Sequence, residues 1–285
     1  MKIFEQIDLL KAYLNEQNQN KSVGFVPTMG ALHEGHLALV EKSIQENDLT
    51  VCSIFVNKIQ FTFEEDFAKY PRTLEEDIQL LESIGCNCLF VPDQQTIYPE
   101  EYALKAYNLG NIEHVLEGLY RPGHFQGVCN AVHRLLDIVQ PHQLYLGLKD
   151  YQQCKVIEKM THLTSLDKRV AIKFCETIRN EDGLALSSRN KRLSMNGLNK
   201  ATALNKILNQ AKERILATTE EKDLTLLGQE STKKILENGF DSVDYFAFVN
   251  ENFEFIHSTL NNNQPLTILT AATIEGVRLI DNIKI

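Results

Sequence analysis

The chain has no apolar run of about 18 residues and no basic-then-apolar segment at its start. Neither a membrane span nor a signal peptide is therefore expected. Positive charge is in deficit: 29 Lys and Arg stand against 38 Asp and Glu, giving a net charge of −9 and a pI near 5.4. A general nucleic-acid binder is usually basic, so that role is disfavoured. An acidic chain that binds anions has to gather its cations locally. The six cysteines, Cys52, Cys86, Cys88, Cys129, Cys154 and Cys175, contain no C-x-x-C pair, and most sit in apolar runs. Reduced, mostly buried thiols in a cytoplasmic protein are the expectation. Cys86-Asn87-Cys88 lacks the further ligands at matching spacing that zinc needs. Also missing are G-x-G-x-x-G, G-x-x-x-x-G-K-[ST] and G-x-S-x-G, so the dinucleotide, P-loop and nucleophile-elbow fingerprints are all absent. Internal repeats and low-complexity tracts are absent too.

What is present is an ordinary globular composition, 43% hydrophobic and 24% charged over 285 residues. That length allows about two domains, each with its own core. The organising stretch is Pro27-Thr28-Met29-Gly30-Ala31-Leu32-His33-Glu34-Gly35-His36. The apolar run 23–26 leads into it, and an amphipathic run from Leu37 to about Glu46 leads out. The pattern predicts strand, tight turn and helix. Proline ends the strand because it has no ladder N–H. A helix starting near Glu34 to His36 would aim its unpaired N–H groups and positive dipole end at the turn, a setting suited to phosphate. His33 and His36 share one face of that first helical turn. Their spacing is not H-E-x-x-H, and no third metal ligand is evident nearby. They can cap or pack, or a protonated or N–H-donating His can reach a phosphate.

The rest of the chain extends this pattern. Residues 1–20 read as a polar amphipathic helix. The run 49–56 reads as a second buried strand, parallel to the first, with Asn57 to Phe61 at its carboxyl end, where ligands collect in open α/β sheets. Residues 73–84 read as a helix with Thr73 as N-cap and Glu75, Glu76 and Asp77 as dipole partners in its first turn. Further strands are expected at 88–92, 143–146 and 170–174, and helices at 125–139 and 151–163, while 94–123 is less regular. Gly147-Leu148-Lys149-Asp150 repeats the design of strand, glycine-bearing turn and helix. Lys149 there is a phosphate candidate, and Asp150 can serve as the helix N-cap. Residues 179–192 turn polar and loop-like, which places a domain boundary between 1–178 and 179–285. Leu186-Ser187-Ser188-Arg189 is either a polar hinge or a donor set for a triphosphate. Two helices, 197–216 and 223–237, then three strands, 243–249, 266–273 and 277–283, imply a small α+β domain.

Six ordered motifs, P-T-M-G-A-L-H-E-G-H, F-V-N-x-x-Q-F, Y-P-R-T, R-P-G-H-F, G-x-K-D-Y-Q-Q and S-S-R-N, resemble the pantoate–β-alanine ligase family of the HIGH/KMSKS nucleotidylyl-transfer superfamily. The terminal Arg278-Leu279-Ile280-Asp281-Asn282 fits as well, so the likeness spans essentially the whole chain. It implies a Rossmann-like parallel sheet flanked by helices, followed by a smaller α+β domain acting as a lid. It implies ATP-dependent condensation of pantoate with β-alanine through pantoyl adenylate, with Mg2+, in a cytoplasmic homodimer. Carried over, Met29, Gly30, Ala31, Leu32, His33, Glu34, Gly35 and His36 would wrap ATP, His36 as the catalytic histidine with His33 beside it. Gly147, Leu148, Lys149 and Asp150 would bind ATP, Lys149 on phosphate and Asp150 on the ribose side. Ile178 would meet adenine through its backbone. Leu186, Ser187, Ser188 and Arg189 would form the KMSKS-like loop, with both serines and Arg189 in the catalytic set. Gln60 and Gln153 would hold pantoate, Gln60 would also neighbour β-alanine, and Arg121 would lie near the substrates. Glu76 and Asp77 align with an acidic pair linked to magnesium. The chain departs from the family pattern at Lys58, where proline is usual, at Leu146 and Leu148, and at Glu76, where Asp is common. Two other readings of the same residues are a nucleotidylyltransferase that stops after the first transfer and a non-catalytic nucleotide-binding module.

Overall fold

The computed structural model describes residues 1–17, 21–217, 222–259 and 265–285. The chain divides into two compact units, Met1–Glu176 and Thr177–Ile285.

Partly exposed at the edges (residues 2–4 and 171–175) and largely buried on both faces inside, as parallel sheets require, the strands of the first unit are drawn from short, mostly apolar runs. They are β1 (Lys2–Phe4), β2 (Val23–Thr28), β3 (Leu49–Ile54), β4 (Cys88–Phe90), β5 (Gln143–Gly147) and β6 (Ala171–Cys175). They form one sheet in the order β1-β4-β3-β2-β5-β6, with every pairing parallel. All six residues of β3 are buried, and Phe25 and Val26 of β2 are fully buried. Helices connect the strands, chief among them Glu34–Glu46, Leu74–Ser83, His124–Val139 and Tyr151–Leu163. From β2 the chain steps through β3 to β4 on one side. It then returns to place β5 and β6 on the other side. The order thus reverses between β2 and β5, which opens a crevice at their carboxyl ends.

The sequence reading of residues 1–20 as one helix is only partly met. The helix is Ile7–Gln17, while Lys2–Phe4 forms an edge strand paired with β4. Three residues are too few to show a period of two, so only the partner strand reveals them. The expected continuation over 18–20 lies outside the described residues.

Among its described residues the second unit carries three α-helices, Met195–Ala201, Ala203–Leu216 and Leu224–Glu237, in place of the two read from the sequence. Its antiparallel sheet consists of β7 (Ser242–Val249), β8 (Thr267–Ile274) and β9 (Val277–Lys284). Leu204, Ile207, Leu208, Leu227 and Ile235 from the helices pack with Phe246, Phe248, Ile268 and Leu279 of the sheet in one core. Among the described residues, no helix is long and apolar enough to cross a membrane.

Candidate active site

The turn after β2 and the turn after β5 stand at the carboxyl ends of neighbouring strands, where the sheet order reverses. The first turn ends in His33, the N-cap of helix Glu34–Glu46. Its Nδ1 accepts from the N–H of Gly35 at 3.2 Å, so neutral His33 keeps its proton at Nε2. The His33 and His36 rings lie 4.0 Å apart, centroid to centroid. His36 Nδ1 is buried and has no hydrogen-bond partner within the protein. Burial, and then the neighbouring His33 and Lys149, hold the His36 pKa well below 6.5. His36 is therefore a neutral imidazole near pH 7.

The backbone of this turn differs from the expectation of open amide donors. Thr28 Oγ1 accepts from Gly30 N at 3.2 Å. Asp77 accepts from Ala31 N at 2.9 Å and from Leu32 N at 2.8 Å. His33 caps Gly35 N, and His36 N bonds to His33 O at 2.8 Å. Ala31 and Leu32 are buried, where an unpaired N–H is costly, so these two amides are bonded from within the protein. Thr73 sits at the N-cap position of its helix but makes no capping bond, and its hydroxyl donates to Asp77 Oδ1 at 3.2 Å instead. Adjacent Glu76 is exposed, so the two acids point into different surroundings. A cavity of about 320 Å3 adjoins the turn, lined by Met29, Gly30, Phe55, Arg72 and Asp77 among others.

At the second turn, Lys149 lies 3.6 Å from Asp150 Oδ2, and its charge is felt at His36. Asp150 occupies the N-cap position of Tyr151–Leu163 without a side-chain capping bond. Of the glutamine pair, Gln152 is buried and holds the 112–117 segment, accepting from Glu117 N at 3.0 Å and donating to Ile112 O at 2.8 Å and Val115 O at 2.9 Å. Gln153 is half-buried.

Gln60 comes to the first turn from the end of β3 and is held from behind. Its Nε2 lies 3.2 Å from Met29 Sδ, while its Oε1 accepts from Asn57 Nδ2 at 3.0 Å. Asn57 is fixed in turn by Gly127 O at 3.1 Å and the Tyr98 hydroxyl at 3.2 Å. Asn57 thereby orients the Gln60 amide so that its NH2 faces Met29. In the R-P-G-H-F motif, Arg121 donates to His124 Nε2 at 3.0 Å. That leaves the His124 proton on Nδ1, which donates to Gln60 O at 2.8 Å. A Cβ on Gly127 would come within 2.5 Å of Ile59 O and 2.6 Å of Gln60 Cα, so the helix can approach Gln60 only with glycine there. Sequence reasoning missed Asn57, His124 and Gln152 as supports. Their motifs were visible, but no local pattern says what a buried polar group bonds to. Lys58, which replaces the usual proline, is exposed and faces the Phe67 ring at 5.9 Å.

Residues 178 and 186–189 belong to the second unit and are described within it. Leu186 N donates to Ile178 O at 3.0 Å, and Arg179 and Ala185 form an antiparallel bridge. Ser187 Oγ accepts from Arg189 N at 3.3 Å, and Ser188 is buried. Arg179 makes two bonds to the buried Asp281 of β9, at 2.7 and 2.8 Å.

All six cysteines are unpaired, and five are buried. Burial pushes Cys86 up to about 11, and Cys88 and Cys129 up to about 12, so these thiols stay protonated at neutral pH.

The family model described as Pantoate-beta-alanine ligase matches residues 2–284. A pantothenate synthetase of Bacteroides fragilis is 40% identical over the whole of this chain and 99% of its own. One of Caldicellulosiruptor saccharolyticus is 41% identical over all of this chain and 98% of its own. Among solved structures, pantothenate synthetase from Thermus thermophilus superposes with a TM-score of 0.89 at 37% identity, covering 99% of both chains. The Francisella tularensis pantoate-beta-alanine ligase, complexed with beta-gamma ATP and beta-alanine, gives 0.83 at 37% identity over 99% of this chain and 97% of that one. The likeness is end to end in sequence and in fold, and the chain belongs to the pantoate-beta-alanine ligase family.

Proposed function

We infer that the protein joins pantoate to β-alanine at the expense of ATP, in two steps. The pantoate carboxylate attacks the α-phosphorus of ATP, forming pantoyl adenylate and pyrophosphate. The amine of β-alanine then attacks the acyl carbon, releasing AMP and pantothenate. The observation that carries this reading is the meeting of the 29–36 turn, Lys149 and Gln60 at the carboxyl ends of β2, β3 and β5. A carboxylate attacking a triphosphate brings anion to anion, so the site must supply cations and N–H donors. Lys149 supplies charge. His33 and neutral His36 supply N–H donors. Gln60 and Gln153 read pantoate without adding charge that needs neutralising. Asp150 is assigned to the ribose side and Arg121 to the neighbourhood of the substrates. From the second unit, residues 186–189 and the Ile178 backbone are proposed to complete ATP binding, with Ser187, Ser188 and Arg189 on the phosphates. That unit is proposed as the lid that keeps water from the acyl adenylate. The support is the chemistry of the loop and its agreement with the family pattern.

Magnesium is the metal that the family resemblance implies. Asp77 is bonded through both oxygens to the turn and Glu76 is exposed elsewhere. No group of three or more His, Cys, Asp or Glu gathers among the described residues. These residues do not form a cage for a resident metal ion, whereas magnesium that enters on the ATP phosphates needs at most one or two carboxylates from the protein. A homodimer is the assembly that the family resemblance implies, and unpaired buried thiols support a cytoplasmic setting.

The direct test is AMP release with ATP, pantoate and β-alanine. AMP should require β-alanine, whereas a nucleotidylyltransferase that stops at the first transfer would release pyrophosphate and no AMP, with or without β-alanine. Absence of turnover in a folded, ATP-binding sample would remove the enzyme reading. Within it, Gly127→Ala is expected to displace Gln60 and lower kcat/KM for pantoate on the order of 10²-fold, the scale of a ~1 Å misplacement. An unchanged pantoate KM and kcat would separate Gln60 from that substrate.

A further inference from the structure

We propose that the anion held by the backbone amides of the 29–36 turn is the carboxylate of Asp77, and that Asp77 is a positioning residue for ATP rather than a metal ligand. Gly30 and Ala31 both have positive φ, 79° and 50°. In this turn the successive N–H groups of Ala31 and Leu32 converge on one carboxylate, as backbone amides in turns can on an anion. The anion comes from within the chain. Asp77, 1% exposed, places Oδ2 against Ala31 N and Oδ1 against Leu32 N, and receives the Thr73 hydroxyl as well. Its own N–H is tied to Thr73 O at 2.9 Å, so the start of helix Leu74–Ser83 and the turn form one hydrogen-bonded unit.

Two consequences follow from this contact. Ala31 has a side chain, and a left-handed backbone is unfavourable for any residue but glycine. The charge-assisted bonds that Ala31 N and Leu32 N donate to Asp77 offset that strain and keep the turn in one shape. His33 comes directly after Leu32, and His36 one helical turn later, so the direction of both imidazoles depends on it. Second, amides bonded to Asp77 are not available to phosphate. Recognition of the triphosphate at this wall passes to side chains, namely His33, His36 and Lys149. Glycine at 30 agrees, since a Cβ there would sit 3.0 Å from Asp77 Oδ2.

This rests on the ligase reading above, and the test separates the two. The full-length protein and its Asp77→Asn variant are assayed for ATP, β-alanine and Mg2+ dependence. The amide keeps the shape but turns an NH2 toward a backbone N–H. Expected is a loss on the order of 10²-fold in kcat/KM for ATP, with the β-alanine KM and the Mg2+ midpoint unchanged. A Mg2+ midpoint raised about tenfold, with activity restored by excess metal, overturns the proposal in favour of a metal ligand. An unchanged kcat/KM for ATP overturns it as well. Should Asp77→Asn fail to fold, Thr73→Val serves, removing one of the three bonds. It should lower kcat/KM for ATP about threefold, the scale of one hydrogen bond, again with no shift in the Mg2+ midpoint. No effect on ATP there counts against the proposal. A wild-type protein that releases no AMP would fail the ligase reading itself, whereas a working wild type with an indifferent Asp77 variant fails only this inference.

Discussion

Alanine in place of His36 or Lys149 is expected to slow pantoyl-adenylate formation by a factor of at least ~10², the usual scale for losing one preorganised donor to developing charge. The effect should fall on the first half-reaction, read as pyrophosphate release in a single turnover, because both groups are assigned to phosphate. Near-normal rates in both variants would remove them from the mechanism. His36 adds a pH signature. The unfolded chain takes up a proton at this residue near pH 6.5, whereas the folded protein does so only well below that value. The unfolded state thus binds more protons between the two values, and stability falls as pH drops from about 6.5 toward the folded value, then levels off. His36→Gln should flatten that part of the stability profile. The acid limb of adenylate formation that depends on neutral His36 should lie below 6.5. A limb centred at the ordinary histidine value would show that His36 is not held neutral.

Loss of the guanidinium at Arg179 is expected to destabilise the second unit by about 3 kcal/mol, the scale for leaving one member of a buried ion pair unmatched. Asp281 is only 4% exposed, and Arg179 reaches it with two bonds while also donating to Gly183 O at 3.1 Å. This ties the turn between residues 179 and 185 to β9. Lysine should recover only part of the loss, because one ammonium cannot reproduce the two-pronged geometry. Urea unfolding followed by circular dichroism checks both variants. A loss under about 0.5 kcal/mol for Arg179→Ala, the range of an ordinary exposed pair, would mean that the contact holds nothing in place. Residues 178 and 186 flank this turn, so the same variant reports on whether ATP affinity depends on their support.

Much of the site was legible locally. Pro27, the two glycines and the amphipathic run after them mark a strand, turn and helix whatever the rest of the chain does. The repeat at Gly147 is legible for the same reason. Periodicity and turn chemistry act over a few residues, so these elements and their placement on the carboxyl ends of strands can be read directly. The ordered motifs then give the family and its substrates.

Other features depend on contacts between distant residues. The sequence alone does not say that β2 and β5 are neighbours, and that adjacency is what brings Lys149 to His36. It offers Asp77 as a helix dipole partner or as half of a metal pair. The fold instead gives it to amides 45 and 46 positions earlier. Gln60 can be suspected from its motif, but its orientation comes from Asn57, from His124, 64 positions on, and from the approach permitted by Gly127. The short strand Lys2–Phe4 exists because β4 offers it an edge. The sequence by itself thus determined most of the elements, the family and the candidate groups whose chemistry suits it. The tertiary structure decided which polar groups satisfy one another. Once a donor or acceptor is buried it must find a partner, and the nearest partner in space need not be near in the chain.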